Sequence, residues 1–173
     1  MIEIDLSKCT GCRQCETTCA FLRSGKSSRN LSRIKIMSSY STGIDGPIVC
    51  QQCQERYCVQ SCSFNALTVG TIGQVIISPT ICTRCGACER SCPIGAIEEY
   101  HGIYYVCDLC GGRPQCVDVC TEHAIEYKPE KIETVSLSTF KQNSKGMTVS
   151  ERRFSYISAK GNEIRKNWRN KNA

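Results

Sequence analysis

Cysteine is the residue type that could do chemistry in this chain, and its spacing repeats. The chain of 173 residues has 16 cysteines, and each belongs to a group of four that we call a quartet. The quartets are Cys9, Cys12, Cys15 and Cys19; Cys50, Cys53, Cys58 and Cys62; Cys82, Cys85, Cys88 and Cys92; and Cys107, Cys110, Cys116 and Cys120. The first and third have the spacing C-x2-C-x2-C-x3-C, and the others widen only the middle gap. Such grouping indicates metal sites, since thiolates are strong ligands of iron and zinc.

The spacing favours iron-sulfur clusters over zinc. Cysteines at positions i, i+3 and i+6 can bring three thiolates to one side of a [4Fe-4S] cluster, and in the bacterial pattern the fourth cysteine binds a second cluster. Sixteen cysteines therefore predict four [4Fe-4S] clusters. Zinc sites also use four thiolates, but zinc ribbons usually separate their cysteine pairs by about a dozen residues or more. Here the second and third cysteines are separated by only two to five residues. A disulfide framework is disfavoured because the expected compartment is reducing.

The composition of the chain changes near Lys128. All cysteines precede this residue. Residues 1–127 carry 11 Lys+Arg and 12 Asp+Glu, whereas residues 128–173 carry 11 and 4. An oxidised cluster with four thiolates adds a charge of about −2, so we expect an acidic cysteine module followed by a basic tail. This distribution disfavours nucleic-acid binding, although the formal net charge is +6.

Short strands and helical turns are expected around the quartets. Alternating apolar residues predict strands over residues 2–6 and 34–37. Hairpins are predicted for residues 67–69 with 75–77, and for residues 97–100 with 103–106, because each pair flanks a turn. Three quartets are followed at the same distance by Ala66-Leu67, Ala96-Ile97 and Ala124-Ile125, whereas Arg23-Ser24 follows the first. A short helical turn is expected from the third cysteine of each quartet.

Two segments carry a resemblance to a known family. Residues 82–97, CTRCGACERSCPIGAI, have the ferredoxin motif, and residues 107–120 are similar to the family's fourth motif. On these motifs, residues 1 to about 127 resemble the four-cluster, ferredoxin-like electron-transfer subunits of molybdopterin and tungstopterin oxidoreductases, such as the iron-sulfur subunit of dimethyl sulfoxide reductase. The short chain and its tail also resemble the small polyferredoxin subunit of tungsten aldehyde oxidoreductase and benzoyl-CoA reductase complexes. Gln52 departs from the family, in which His is common, and only Pro93 follows a fourth cysteine.

The resemblance implies an α+β fold of two nested, bacterial ferredoxin-like dicluster units with short hairpins, short helices and a C-terminal tail. The outer unit comprises residues 1–49 with 101–127, and the inner unit comprises residues 50–100. The implied ligand sets are Cys9, Cys12, Cys15 and Cys120; Cys107, Cys110, Cys116 and Cys19; Cys50, Cys53, Cys58 and Cys92; and Cys82, Cys85, Cys88 and Cys62. Spacing alone leaves open a sequential pairing, the first quartet with the second and the third with the fourth.

The expected function is electron transfer without a catalytic site of the chain's own. The sequence has no G-x-G-x-x-G motif or P-loop, and His101 and His123 are more ordinarily solvated residues than catalytic ones. The resemblance implies a catalytic tungsten- or molybdenum-pterin subunit as partner, with a flavin or ferredoxin protein as a second redox partner. The alternatives are a free-standing polyferredoxin and a zinc-dependent interaction module.

The basic tail, residues 128–173, is expected to be a docking segment. Phe154, Ile157, Ile164 and Trp168 would form an apolar stripe on a helix, interrupted by Gly161. A disordered polar end is the alternative. No apolar run approaches the roughly 20 residues that span a membrane, and no export signal is recognisable at the start. We therefore expect a cytoplasmic protein that does not span the membrane.

Overall fold

A computed structural model describes residues 1–130 and 135–171, in which short strands alternate with short helices. The strands are β1 (Ile2–Ile4), β2 (Ile34–Ser39), β3 (Ile44–Val49), β4 (Leu67–Val69), β5 (Val75–Ile77), β6 (Glu98–Tyr100), β7 (Ile103–Tyr105) and β8 (Ile125–Tyr127). The helices are α1 (Gln14–Ser24), α2 (Tyr57–Gln60), α3 (Ala87–Ser91), α4 (Gln115–Asp118), α5 (Ser138–Asn143) and α6 (Val149–Lys171). Short 3-10 turns lie at Arg29–Leu31 and Leu109–Gly112. The predicted α+β class is confirmed.

The strands form antiparallel pairs rather than one large sheet. β1 pairs with β8, so that Ile2 lies opposite Tyr127 and the two ends of the cysteine module meet. The other pairs are the hairpins β2–β3, β4–β5 and β6–β7. The β4–β5 hairpin has the predicted bounds, and the β6–β7 hairpin is one residue shorter at each outer end. The expected boundary between residues 100 and 101 falls where the β6–β7 hairpin turns.

Strand β3 is not predicted by the sequence pattern, and its composition explains why. Gly46 and Pro47 lie in its middle, and both residue types are poor strand formers, because glycine has no side chain to pack and proline has no N–H to donate. Pro47 nevertheless lies opposite Ile36 in the hairpin. Ile36, Ile44 and Ile48 are all buried. Burial of the hairpin's isoleucines thus outweighs the weak local preference for a strand.

The helices that carry the cysteines pack in two pairs. α1 contacts α4, and α2 contacts α3. The hydroxyl oxygens of Ser61 and Ser91, at the ends of α2 and α3, lie 2.8 Å apart and share a hydrogen bond. The first quartet is therefore next to the fourth, and the second is next to the third.

Helix α6 packs against β2 and β3. Ile157 is fully buried in this contact. A Cβ atom at Gly161, one turn later, would lie 2.5 Å from Oγ1 of Thr42, so glycine permits the close approach of the helix. Phe154 and Trp168 remain 45% exposed. The predicted stripe is therefore divided between a part that packs on its own chain and an exposed part, for which docking on another chain stays a prediction.

The tail forms α5 and α6, while its residues 131–134 and 172–173 lie outside the described residues. Gly161 does not interrupt α6, which continues over 23 residues. Gly161 therefore interrupts the apolar stripe but not the helix, because contact with the β2–β3 hairpin at this position outweighs the low helix propensity of glycine. Among the described helices, none has both the length and the apolar composition needed to cross a membrane.

Replacing Ile157 with alanine should loosen α6 from the β2–β3 hairpin. The substitution truncates a fully buried side chain, and such losses cost about 2–5 kcal/mol. Amide hydrogen exchange of the full chain should accordingly show weaker protection along α6. Phe154→Ala is the matched control, because it truncates a large apolar side chain that is 45% exposed on the same helix. An equal loss of protection in both variants would contradict this packing.

Candidate metal centres

Each quartet lies on a loop that leads into a helix. The third cysteine is the second residue of that helix, and the fourth follows four residues later. Cys15 and Cys19, for example, both lie in α1. Residues four apart share a helix face and are separated by about one turn of 5.4 Å. In the other quartets the helix ends before the fourth cysteine, so that Cys62, Cys92 and Cys120 lie just beyond α2, α3 and α4.

Three groups of four cysteines surround cavities. The Cys9 site consists of Cys9, Cys12, Cys15 and Cys120 around about 350 Å³ of free space that is partly open to solvent. The Cys82 site consists of Cys82, Cys85, Cys88 and Cys62 around about 290 Å³. The Cys107 site consists of Cys107, Cys110, Cys116 and Cys19 around about 370 Å³. Each group takes three cysteines from one quartet and the fourth from another.

A fourth group, the Cys50 site, consists of Cys50, Cys53, Cys58 and Cys92. Burial and the nearby charges of Cys58, Cys107 and Cys92 raise the pKa of Cys50 well above its ordinary value. Burial and the charge of Cys92 also raise the pKa of Cys58, to about 12. The four sites thus combine the first quartet with the fourth and the second with the third. This is the grouping that the family resemblance implies, whereas the role of these cysteines as ligands stays a prediction.

The thiols surround cavities rather than meeting at one point. Among residues 1–130 and 135–171, no three Cys, His, Asp or Glu side chains converge closely enough to hold a single metal ion. Tetrahedral zinc would require four sulfurs at about 2.3 Å from one centre. A [4Fe-4S] cluster instead has an iron for each thiolate and needs space between the sulfurs. The cavities and their four-thiol linings fit such a cluster.

The loops share a backbone conformation that directs N–H groups toward sulfur. In each quartet, the second residue between the first two cysteines has a positive φ: Gly11 (69°), Gln52 (49°), Arg84 (61°) and Leu109 (59°). The N–H groups of Gly11, Gln52 and Leu109 donate to the thiols of Cys9, Cys50 and Cys107. A residue other than glycine in this conformation costs about 1–3 kcal/mol. Strain repeated in three loops is typical of segments shaped for a ligand.

A second set of N–H groups explains the repeated alanine. The backbone N–H groups of Ala66, Ala96 and Ala124 donate to the sulfurs of Cys62, Cys92 and Cys120 at 3.2–3.3 Å. After the first quartet the corresponding residue is Arg23, which lies within α1 because that helix continues through Ser24. Its N–H therefore cannot turn back toward the sulfur. The N–H of Arg33 donates to Cys19 instead, at 3.3 Å. Every fourth cysteine therefore receives a backbone hydrogen bond, which stabilises a thiolate.

Gln52 connects two of the sites. Its side chain is buried. Nε2 donates to the carbonyl oxygen of Cys107 at 3.2 Å, and Oε1 accepts from the N–H of Val75 at 3.2 Å and from Arg56 at 3.0 Å. The residue at which the chain departs from the family therefore links the loop of the Cys50 site to the loop of the Cys107 site.

The two histidines do not line the three cavities that the cysteines surround, and both lie at exposed turns. His101 has a φ of 53° in the β6–β7 turn, and His123 has a φ of 49° directly before Ala124. His123 stands where the other repeats have Asn65 and Gly95, which also have positive φ. The histidines thus have turn positions, in agreement with their interpretation as solvated residues.

Seven of the sixteen thiols are buried, which disfavours the thiolate form unless a cation accompanies it. Burial and the charges of Glu16 and Cys9 raise the pKa of Cys15 to about 12. Burial also raises the pKa of Cys107 to about 12, although the N–H of Leu109 lowers it. Metal binding requires deprotonated thiols and supplies the compensating charge. The donor set therefore fits iron and would lose protons on binding it.

The sites follow one another in a row. Burial raises the pKa of Cys116, and the charge of Cys15 is one of several charges that raise it further. The Cys9 site therefore adjoins the Cys107 site. The charge of Cys107 likewise raises the pKa of Cys50, and the charge of Cys88 raises the pKa of Cys58. The Cys50 site therefore adjoins both the Cys107 site and the Cys82 site. The order is therefore Cys9 site, Cys107 site, Cys50 site and Cys82 site. The two end sites contain the exposed cysteines, Cys12 and Cys85.

The Cys82 site also borders an open cleft. Its free space is about 1050 Å³, and its lining includes Cys82, Arg84 and the β5 and β7 residues Ile76 and Tyr104. Ile76 is 43% exposed. This end of the row therefore meets a concave, partly apolar surface.

Several charged residues near the sites are not identified by sequence reasoning. Arg152 and Arg153 of α6 are buried, and so is Glu16 of α1. Lys141 of α5 donates to the carbonyl oxygen of Ser91, next to Cys92. A run of charged residues has the same pattern whether it is solvated or buried, so the only available signal was the proximity of Arg152 and Arg153 to the apolar stripe.

Comparison with known proteins identifies the same chemistry in two segments and along most of the chain. Two family models, each described as a 4Fe-4S binding domain, match residues 1–23 and 75–98. The polyferredoxin-like subunit of an aliphatic sulfonate oxidoreductase of Pyrococcus furiosus is 40% identical over 124 residues, which cover 70% of this chain and 71% of the relative. The prediction of [4Fe-4S] clusters is confirmed.

Two further proteins extend the comparison. The B subunit of the anaerobic dimethyl sulfoxide reductase of Haemophilus influenzae is 28% identical over 146 residues, which cover 72% of this chain and 71% of the relative. A solved structure of the active site complex BamBC of benzoyl coenzyme A reductase aligns with 94% of this chain and 96% of its own, at 19% identity and a TM-score of 0.40. With its four quartets and its likeness to the Pyrococcus subunit, the chain belongs to the family of polyferredoxin-like, [4Fe-4S]-binding electron-transfer subunits of oxidoreductases.

Proposed function

We propose that this chain relays single electrons through four [4Fe-4S] clusters between a tungsten- or molybdenum-pterin catalytic subunit and a second redox partner, a flavin or ferredoxin protein. The observation that carries the proposal is the row of four thiol groups, in which sulfurs of adjacent sites interact. The proposed ligands are the four cysteines of each site as defined above. The proposed compartment is the cytoplasm.

The residues of the chain make each site suitable for one-electron transfer. A [4Fe-4S] cluster, when bound, takes up and releases one electron. The thiols of each site hold it, and the buried cysteines Cys50, Cys58 and Cys92 limit the access of water to the interior of the row. Backbone N–H groups, such as that of Ala96 on Cys92, offset the negative charge that accumulates on sulfur.

The ends of the row are the proposed points of exchange with partners. Cys12 and Cys85 are exposed, so a partner can approach the Cys9 site or the Cys82 site without unfolding the chain. The cleft next to Cys82 offers an apolar lining with Ile76 and Tyr104, which suits contact with a protein surface. The interior sites have no equivalent cysteine exposed among the described residues.

Paired cysteine variants should distinguish the nested from the sequential ligand sets. In the nested arrangement Cys12 and Cys120 hold one cluster, whereas Cys12 and Cys62 hold two different clusters. Cys12→Ala with Cys120→Ala should therefore affect one cluster, and Cys12→Ala with Cys62→Ala should affect two. Mössbauer and EPR spectra of anaerobically purified protein count the affected clusters. Sequential pairing would be supported if Cys12→Ala with Cys62→Ala affects one cluster and Cys12→Ala with Cys120→Ala affects two.

Iron content and co-purification test the proposed relay. The tagged full chain, purified without oxygen, should contain about sixteen iron and sixteen sulfide per chain. It should also bring down, in equal amount, a larger subunit that contains pterin and tungsten or molybdenum by elemental analysis. Zinc without sulfide would contradict the whole proposal. A fully iron-loaded chain that elutes alone at physiological salt would contradict the bound subunit and support a free-standing polyferredoxin.

A further inference from the structure

Two cations from the tail lie next to the Cys50 site. Arg152 of α6 is only 3% exposed. Its Nη1 donates to the carbonyl oxygens of Cys92 at 2.8 Å and Glu89 at 2.6 Å. Lys141 of α5 donates from Nζ to the carbonyl oxygen of Ser91 at 2.9 Å. Both side chains therefore hold a positive charge against the backbone that carries Cys92.

The charge of these two cations is not cancelled by a direct ion pair. Among the described residues, no carboxylate forms a salt bridge with Arg152 or Lys141. The nearby Arg153 differs, since Glu98 binds it at 3.2 Å. Glu89 acts on Arg152 from a greater distance. Glu55, the carboxylate closest in sequence to Cys53, is partly exposed, and its oxygens accept hydrogen bonds from Ser136 and Leu137. Its charge is a minor cause among those that raise the pKa of Cys53.

The Cys9 site, at one end of the row, has the opposite surroundings. Glu16 is fully buried beside Cys15, and its charge is among the causes that raise the pKa of Cys15, behind burial. The charge of Asp45 is likewise among the causes that raise the pKa of Cys9. Arg13 and Arg29 bind Glu16 at 3.3 and 3.1 Å, but their side chains are 39% and 58% exposed, so solvent screens them.

The Cys107 site has two arginines against one carboxylate, and Arg23 also donates to the sulfur of Cys110. Arg23 and Arg33 lie on its border, and both bind Asp108, which is adjacent to Cys107. The row of sites therefore passes from carboxylates at the Cys9 site to an excess of cations at the Cys107 and Cys50 sites.

We infer that Arg152 and Lys141 raise the reduction potential of the cluster at the Cys50 site above that of the cluster at the Cys9 site. Reduction adds a negative charge, so a nearby cation stabilises the reduced form and a nearby carboxylate destabilises it. Burial strengthens both effects, because solvent screening is weak in the interior. An electron that enters at the Cys9 site is therefore drawn toward the Cys50 site. The inference depends on the proposed ligand sets and gives the tail a role in setting the potential.

Redox titration of full-chain variants, followed by EPR without oxygen, tests the inference. Arg152→Gln and Lys141→Gln should each shift one cluster to a lower midpoint potential, and the double variant should shift it furthest. Arg152→Lys should retain most of the wild-type potential, because it keeps the charge. The shifted cluster should be the one that Cys53→Ala alters. Asp45→Asn should raise the potential of a different cluster, the one that Cys12→Ala alters.

Lys160→Gln is the matched control. Lys160 lies on the same helix as Arg152 but pairs with Glu163 at 2.9 Å on the exposed side, so its removal should leave all potentials unchanged. If Arg152→Gln loses iron, Lys141→Gln decides the test, since Lys141 is less buried. Full iron content with no shift in Lys141→Gln, or a shift equal to that of Lys160→Gln, would overturn the inference. Wild-type protein without reducible clusters would instead overturn the proposed function.

Discussion

The burial of cysteine thiols is the constraint on which the rest of the structure depends. A thiol such as Cys107 or Cys58 is enclosed so far that burial raises its pKa to about 12, and a thiolate there needs a cation. The surrounding backbone supplies hydrogen bonds but no full positive charge at most of the sites. Iron supplies it, which couples binding of the clusters to folding of the loops. Little apolar core is then required, in agreement with a mean hydropathy of −0.27.

The cysteine spacing indicates the loops that carry the candidate sites because ligand geometry leaves little freedom, while the ligand sets stay a prediction. A loop that offers three thiolates to one cluster must turn back on itself, and the chain achieves this with the same positive φ at Gln52, Arg84 and Leu109. The alanine after three of the quartets has an equally local cause, the N–H that it donates to sulfur. Hairpins with clear turns, such as β4–β5, follow from short-range pattern in the same way.

The features that the sequence did not predict depend on contacts between distant segments. Strand β3 contains Pro47 and is stabilised by burial beneath α6. Gly161 permits α6 to approach Thr42, which is distant in sequence. The position of Arg152 beside Cys92 joins residues 60 apart in sequence. Periodicity and composition describe only near neighbours, so charges such as Arg152 and Lys141 were indistinguishable from a solvated surface.

The pairing of β1 with β8 has a consequence for how the protein is made. Under the proposed ligand sets, the Cys50 and Cys82 sites possess all their sulfurs once residue 92 has emerged from the ribosome, whereas the Cys9 site must wait for Cys120 and for β8 to reach β1. The earliest thiols to be synthesised are therefore the last to be enclosed. The sites would then be completed from the Cys82 end of the row toward the Cys9 end, which leaves the N-terminal loop open to damage by oxygen for the longest time.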